Sequence, residues 1–287
     1  MAKSMNALDL IDYKKNGKKI TSLTAYDYST AKQLDEAGID MILVGDSAAM
    51  VVLGYETTHA ITMEEMIIFS KAVTRGAKKS LVVVDMPFGS YQADKKTAVE
   101  NACRIIAETG AKAVKIEGGT PYIIDIVKHL STMGIPVLGH LGFTPQYLHS
   151  MGGYHVQGKS IEQTKQILNQ ALYLESAGAF GIVLEMVPEQ SAKIITERLS
   201  IPTIGIGAGR YCDGQILVID DIIGRYSDFK PKFARRYADV ASLIRHSAQN
   251  FKADVMSGEF PAELETFELS REEAEKLKNE FNNKAYF

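Results

Sequence analysis

Four apolar runs in this chain each end in a carboxylate: Met41-Ile-Leu-Val-Gly-Asp46, Leu81-Val-Val-Val-Asp85, Ala113-Val-Lys-Ile-Glu117 and Gly181-Ile-Val-Leu-Glu185. One acid at the end of a strand carries little information, but four that open onto one face could build a site. Asp46 and Asp85 close consecutive runs, so their side chains can converge. Two carboxylates that close repel each other unless a cation lies between them. Hard oxygen ligands with room for water suit Mg2+, and no histidine or cysteine cluster offers zinc a better home. Either aspartate taken alone is as readily a cap of a helix or turn, Asp46 before Ser47 in particular. Lys115 and Glu117 lie two residues apart and project to one side of their strand, with Val114 and Ile116 on the other. Charges inside a barrel are costly unless paired with each other, a metal or a ligand. A structural Lys-Glu pair is therefore the alternative to a functional one.

Glu185 ends a run far from Asp46 around the ring. A carboxylate across the mouth from a metal is placed to take a proton from a substrate held there, and its apolar run would partly desolvate it. The competing reading is a helix N-cap, because Glu185-Met-Val-Pro188 leads into a helical pattern. His140 follows Gly139 at the end of another apolar run. A lone histidine is more often a hydrogen-bonded core residue than a catalyst, yet this one falls where the other candidates fall. Gly205-Ile-Gly-Ala-Gly209 invites a phosphate-loop reading, but its spacing matches neither the P-loop nor the dinucleotide fingerprint.

These residues need elements to hold them. Apolar, β-rich segments recur at Thr21–Tyr26, Met41–Asp46, Leu81–Met86, Ala113–Glu117, Pro136–His140, Gly181–Glu185, Thr203–Gly207 and Gln215–Ile219. Helical patterns separate most of them, and eight such strands close a (β/α)8 barrel of the TIM type. Thr62-Met-Glu-Glu65 and Ser160-Ile-Glu-Gln163 read as capping boxes. Gly38, Gly110 and Gly178 each end a helix just before a strand. The loops at 47–61 and 141–159 are long, as loops that build a site often are. No helix is predicted between strands seven and eight. A helical pattern runs from about Ser227 to Ala253, Gly258-Glu-Phe-Pro261 breaks it, and a second capped helix starts at Ser270. The whole chain reads as a single barrel domain, with a core over about 20–253 and a C-terminal helical tail over about 254–287 that packs on the barrel or on a neighbouring subunit.

Composition narrows the function classes. The 287 residues suit one large α/β domain. A net charge of −3 gives no basic footprint for nucleic acid. No apolar run approaches the length of a membrane helix, and the N-terminus does not read as a secretory signal. Two cysteines, Cys103 and Cys212, make no disulfide framework. A cytoplasmic enzyme with a small-molecule substrate is the expectation.

Several strings, in order, are more specific than any one feature: Val44-Gly-Asp-Ser47, Met50-Val-Val-Leu-Gly-Tyr55, Val114-Lys-Ile-Glu-Gly-Gly119, Gly139-His140, Thr144-Pro-Gln146, Gly152-Gly-Tyr154, Val156-Gln-Gly158, Thr203-Ile-Gly-Ile-Gly-Ala-Gly209 and Asp213-Gly-Gln215. Together, from about Thr21 to Phe260, they resemble the ketopantoate hydroxymethyltransferase family. The resemblance implies a Mg2+-dependent enzyme of pantothenate synthesis that transfers a one-carbon unit from 5,10-methylenetetrahydrofolate to 3-methyl-2-oxobutanoate, giving 2-dehydropantoate through an enolate. Carried over by motif, Asp46 and Asp85 would bind the metal with Glu117 near it, through water. Ser47, Asp85 and Lys115 would hold the keto acid, and Asp46 and His140 lie beside them as further contacts. Glu185 would be the base. The family's barrels assemble as rings, commonly homodecamers.

The chain departs from the family pattern at Ala48-Ala49, where Leu-Gly is usual, at Gly89, where methionine is usual, and after Phe260-Pro-Ala-Glu263, where a His-Ser pair is missing. These bear on the folate pocket and the tail rather than on the metal acids. Two other readings remain beside this one: a metal-dependent lyase or mutase acting on an α-keto acid, of the phosphoenolpyruvate mutase and isocitrate lyase kind, and a non-catalytic keto-acid-binding or scaffold barrel. The chain lacks the Lys-Lys-Cys-Gly-His string of isocitrate lyases, and all five charged candidates of the site are present.

Overall fold

Short apolar runs become eight parallel strands, and most are buried on both faces, so neither side of the run has to be polar. They are β1 (Ile20–Thr24), β2 (Met41–Val44), β3 (Leu81–Asp85), β4 (Ala113–Glu117), β5 (Val137–Gly142), β6 (Gly181–Glu185), β7 (Thr203–Ile206) and β8 (Gly214–Leu217); β1 and β8 are partly exposed on one face. The computed structural model describes residues 4–226 and 231–282, and in it the strands close in sequence order, with β8 pairing back to β1. The fold is the expected (β/α)8 barrel.

Alternation sorts the strand residues into two cores. Met41, Leu43, Leu81, Val83, Ala113, Leu138, Val183, Ile204 and Ile216 pack together inside the barrel. Ile42, Val44, Val82, Val84, Val114, Ile116, Ile182 and Leu184 pack outward against the helices. Parity then puts Asp85, Lys115 and Glu117 on the inner side, above the apolar plug. Register does the rest: Asp85 pairs with Lys115, Glu117 with His140, and Gly142 with Glu185.

The helices are α1 (Ala7–Lys15), α2 (Tyr28–Glu36), α3 (Ala48–Val51), α4 (Met63–Gly76), α5 (Lys95–Thr109), α6 (Pro121–Thr132), α7 (Ile161–Ser176), α8 (Glu189–Arg198), α9 (Ile219–Ile223), α10 (Val240–Ser257) and α11 (Arg271–Asn282). Thr62 and Glu65 form the expected reciprocal capping box at the start of α4. Ser160 caps α7 from one side only: its hydroxyl accepts from Gln163 N, while the Gln163 side chain turns to Lys159 N instead. Gly38, Gly110 and Gly178 take left-handed conformations, with φ of +82°, +76° and +96°, where their helices end. No helix separates β7 from β8, as the sequence suggests.

Two regions differ from the sequence reading. The N-terminus, which shows no apolar core stretch, forms α1. Its Ala7 and Leu10 join the interior core, too few apolar positions to register as a helical period. The helix expected from about Ser227 begins at Val240 instead; residues 231–239 are not helical, and 227–230 lie outside the described residues. Compactness divides the chain into Met1–Ala238 and Asp239–Phe287. In the second unit, α10 ends at Gly258 in the left-handed region, and Phe251 packs edge-on against Phe260. None of the residues of α10 is buried, and Leu243, Ile244, Phe251 and Val255 are exposed.

Gly142 shows how tightly the C-terminal end of the barrel strands is built. Its φ is +92°, and a Cβ there would sit 2.3 Å from the Glu185 carbonyl oxygen. That carbonyl accepts from Phe143 N at 2.8 Å, so the glycine lets β5 turn while remaining bonded to β6. Gly142→Ala should destabilise the protein by about 2 kcal/mol or more, from left-handed strain and the backbone clash. Urea titration would show this as a lower midpoint; an unchanged midpoint would contradict it.

Candidate active site

Asp46 N donates to Asp85 Oδ2 at 3.0 Å, and the glycine before it leaves room for Ser47, whose Oγ a Cβ on Gly45 would meet at 2.7 Å. Asp46 is therefore not a side-chain cap of α3, nor does Ser47 cap it. Ser47 Oγ lies 2.8 Å from the Tyr26 hydroxyl, and burial pushes that phenol's pKa upward.

From Asp85 the charges run around the inner wall in a continuous row. Lys115 Nζ lies 2.7 Å from Asp85 Oδ1 and 3.6 Å from Glu117 Oε1. Glu117 Oε1 is hydrogen-bonded to His140 Nδ1 at 3.2 Å, and His140 Nε2 lies 3.1 Å from Glu185 Oε2. The row thus reads acid, acid, ammonium, acid, imidazole, acid. The simple Lys-Glu pair expected as an alternative is replaced by a lysine that sits closer to Asp85. Glu185 is not a helix cap either, because α8 starts after Pro188. Its side chain is 15% exposed while those of Lys115, Glu117 and His140 are 5% or less, so Glu185 is the member of the row that opens toward solvent.

Burial sets the electrostatics. Desolvation, with repulsion from Asp85 and Glu117, holds the Asp46 carboxyl well above the usual carboxylate range despite Lys115 and a bond from Gln146. Burial would raise Glu117 too, but the charge and hydrogen bond of His140, with Lys115 and the Gln146 amide, bring it below its ordinary value. Burial and Lys115 push His140 down, yet Glu117 and Glu185 outweigh them and raise it to about 9. Lys115 is disfavoured by burial and held above its usual value by Asp85, Glu117 and Asp46. With every group ionised, four acids face two cations, which leaves two negative charges uncompensated: the charge of one divalent ion.

The donor set fits such an ion. Asp85 Oδ1 is buried without an aligned hydrogen bond, its lysine contact notwithstanding. Asp46 binds Gln146 Nε2 through Oδ2, and its Oδ1 has no hydrogen bond among the described residues. Both oxygens of Glu117 are engaged, Oε1 by His140 and Oε2 by Gln146 N at 3.0 Å. Among the described residues, no three of His, Cys, Asp and Glu converge as a complete ligand set. Mg2+ needs no such set, since it keeps several waters and takes one or two carboxylates.

Reading the sequence for acids and bases passes over three residues that the fold brings to this row. Gln146 bonds Asp46 and Glu117. The Tyr91 hydroxyl accepts from Glu117 N at 3.2 Å and donates to Gln146 Oε1 at 2.7 Å. Tyr26 supports Ser47. None is charged, and only Gln146 lies in a motif string. At the mouth, Ala48 and Ala49 are buried in α3, and Gly89 adopts φ +85°, a conformation in which the family's usual methionine would be strained.

Raised from 6.5 to about 9, His140 should stabilise the metal-free fold fully below about pH 6.5, with the contribution lost as pH rises through about 9. In EDTA, the thermal midpoint of the wild type should therefore fall more steeply between pH 7 and 9.5 than that of His140→Gln. Parallel curves would contradict the charged bridge.

Comparison with other proteins gives the family. Residues 4–263 match the ketopantoate hydroxymethyltransferase family. A 3-methyl-2-oxobutanoate hydroxymethyltransferase from Syntrophomonas wolfei is 52% identical over 93% of this chain and 97% of its own. One from Clostridium kluyveri is 54% identical over 94% and 95%. Among solved structures, a phosphoenolpyruvate phosphomutase from Streptomyces platensis subsp. rosaceus superposes with a TM-score of 0.59 at 15% identity, covering 97% of this chain and 99% of that one, a likeness of fold. With the match running through every strand that carries the charged row, the chain belongs to the ketopantoate hydroxymethyltransferase family.

Proposed function

We propose that this protein transfers a hydroxymethyl group from 5,10-methylenetetrahydrofolate to 3-methyl-2-oxobutanoate, giving 2-dehydropantoate for pantothenate synthesis in the cytoplasm. The observation that carries this reading is the buried row from Asp46 to Glu185 at the strand ends, in a chain whose family match spans all of it. Asp46 and Asp85 are the residues that would hold Mg2+, with Glu117 supporting the site through water. When bound there, Mg2+ supplies Lewis-acid polarisation of the keto carbonyl.

The remaining work falls to side chains. Lys115 places positive charge where negative charge develops on the substrate, and Ser47, beside Tyr26, is placed to donate to the substrate carboxylate. Glu185 takes the C3 proton, and the resulting enolate carbon bonds to the methylene carbon delivered by folate. Water supplies the hydroxyl oxygen as both carbon–nitrogen bonds to folate break, the two nitrogens of the departing tetrahydrofolate taking the proton from Glu185 and one from the water. His140, pinned by Glu117, holds Glu185 in place and offsets repulsion among the acids. The uneven exposure of the row suits this division: charge is fixed in the dry part, and the proton moves at the open end. A homodecameric ring is the assembly that family membership suggests.

Glu185→Gln should slow exchange of the substrate C3 proton with solvent deuterium by about 100-fold or more, leaving Mg2+ binding largely intact. Undiminished exchange would remove Glu185 from the role of base. The purified chain should consume 3-methyl-2-oxobutanoate only with methylenetetrahydrofolate, and EDTA should stop it. In calorimetry, Asp46→Ala or Asp85→Ala should abolish the part of keto-acid binding that depends on Mg2+. Equal binding with and without Mg2+ in the wild type would sink the metal role.

A further inference from the structure

Gln146 is buried at the mouth of the barrel and performs none of the chemistry assigned to its neighbours. It follows β5, yet its partners come from three other strand ends. Its Nε2 donates to Asp46 Oδ2 at 3.0 Å and to the Met86 carbonyl at 2.9 Å. Its Oε1 accepts from the Tyr91 hydroxyl at 2.7 Å and from Gln92 Nε2 at 2.9 Å. Its backbone N donates to Glu117 Oε2, and its carbonyl lies 3.0 Å from His59 Nε2. Every donor and acceptor of the side-chain amide is used.

The orientation of that amide follows from its surroundings. The Met86 carbonyl can only accept, so the group facing it is the NH2. Glu117 N can only donate, so Tyr91 spends its lone pair there and its proton on Gln146 Oε1. Gln92 is fixed likewise, because its Oε1 accepts from Gly89 N at 2.8 Å and its NH2 is left to face Gln146. The NH2 of Gln146 is thereby aimed at one oxygen of Asp46 and away from the other.

We propose that Gln146 is the positioning residue of the cation site: it caps Asp46 Oδ2, leaves Oδ1 as the oxygen that ligates a divalent cation, and ties Asp46 to Glu117 at a fixed separation. The proposal rests on the reading that Asp46 and Asp85 hold that cation. An apolar side chain of the same length would fill the space but leave Asp46 free to turn and its buried Oδ2 without a donor.

The test is a titration of the full-length protein with Mn2+, followed by electron paramagnetic resonance, in wild type, Gln146→Met and Tyr91→Phe, each with its metal-free thermal midpoint. Gln146→Met should bind Mn2+ tenfold or more weakly. Tyr91→Phe, which frees the far side of the amide but keeps its donor, should weaken binding by a smaller factor, about threefold. A residue that only fills space would lower the midpoint while leaving Mn2+ affinity unchanged. Equal or tighter binding by folded Gln146→Met, with the wild type binding normally, overturns the positioning role and leaves the cation reading standing. If Gln146→Met does not fold, unchanged affinity in Tyr91→Phe overturns it. No Mn2+ binding by the wild type overturns the cation reading and this proposal together.

Discussion

The ammonium of Lys115 sits inside a closed barrel, 2.7 Å from one carboxylate and 3.6 Å from another, and the rest of the site depends on that arrangement. Removing a charge from water costs several kcal/mol unless partners replace the lost solvation. Lys115 is held in its charged form there by Asp85, Glu117 and Asp46, and with His140 it in turn favours ionised Glu117. The same demand continues outward: Glu117 calls for His140, and His140 in turn meets Glu185. Asp46, at the other end, is buried beside repulsive neighbours with too little compensation, which is why its carboxyl is held well above the usual carboxylate range.

This imbalance is held in place by apolar packing. Interior residues such as Met41, Leu81, Val83 and Ala113 plug the barrel beneath the row, so water cannot reach the charges from below. Outward residues of the same strands bind the helices and keep the strand ends from shifting. A row with more acids than cations needs such a frame, because relaxation of the backbone would otherwise remove the imbalance. The glycines at 45 and 142 serve the same end. Gly142 permits a backbone approach at the mouth that a Cβ would block, and Gly45 leaves room for the Ser47 hydroxyl.

Much of this was legible in the chain. Short apolar runs, four of them ending in acids, located all eight strands to within a few residues, because most of these strands are buried on two faces and leave a continuous apolar stretch. Parity placed Lys115 and Glu117 on one face. What escaped notice did so for identifiable reasons. Helix α1 buries too few side chains to show a period. The helix expected from about Ser227 gave no signal of its later start at Val240. Gln146 and Tyr91 carry no charge, and hydrogen-bonding roles of neutral side chains are set by partners distant in sequence: Gln146 lies 100 residues from Asp46 and 55 from Tyr91.

The sequence by itself determined the strands, their inward and outward faces, and the set of charged residues that would reach the barrel's mouth, since these follow from local alternation and composition. The family resemblance added a substrate. Only the tertiary structure decided which charges touch. Register between strands paired Asp85 with Lys115 and Glu117 with His140, so that the strand-end acids meet different partners. Closure of the ring then set the row's order, the greater exposure of Glu185 at its end, and the glutamine that joins Asp46 to Glu117. Those are properties of distance, and distance between remote residues is not written in local pattern.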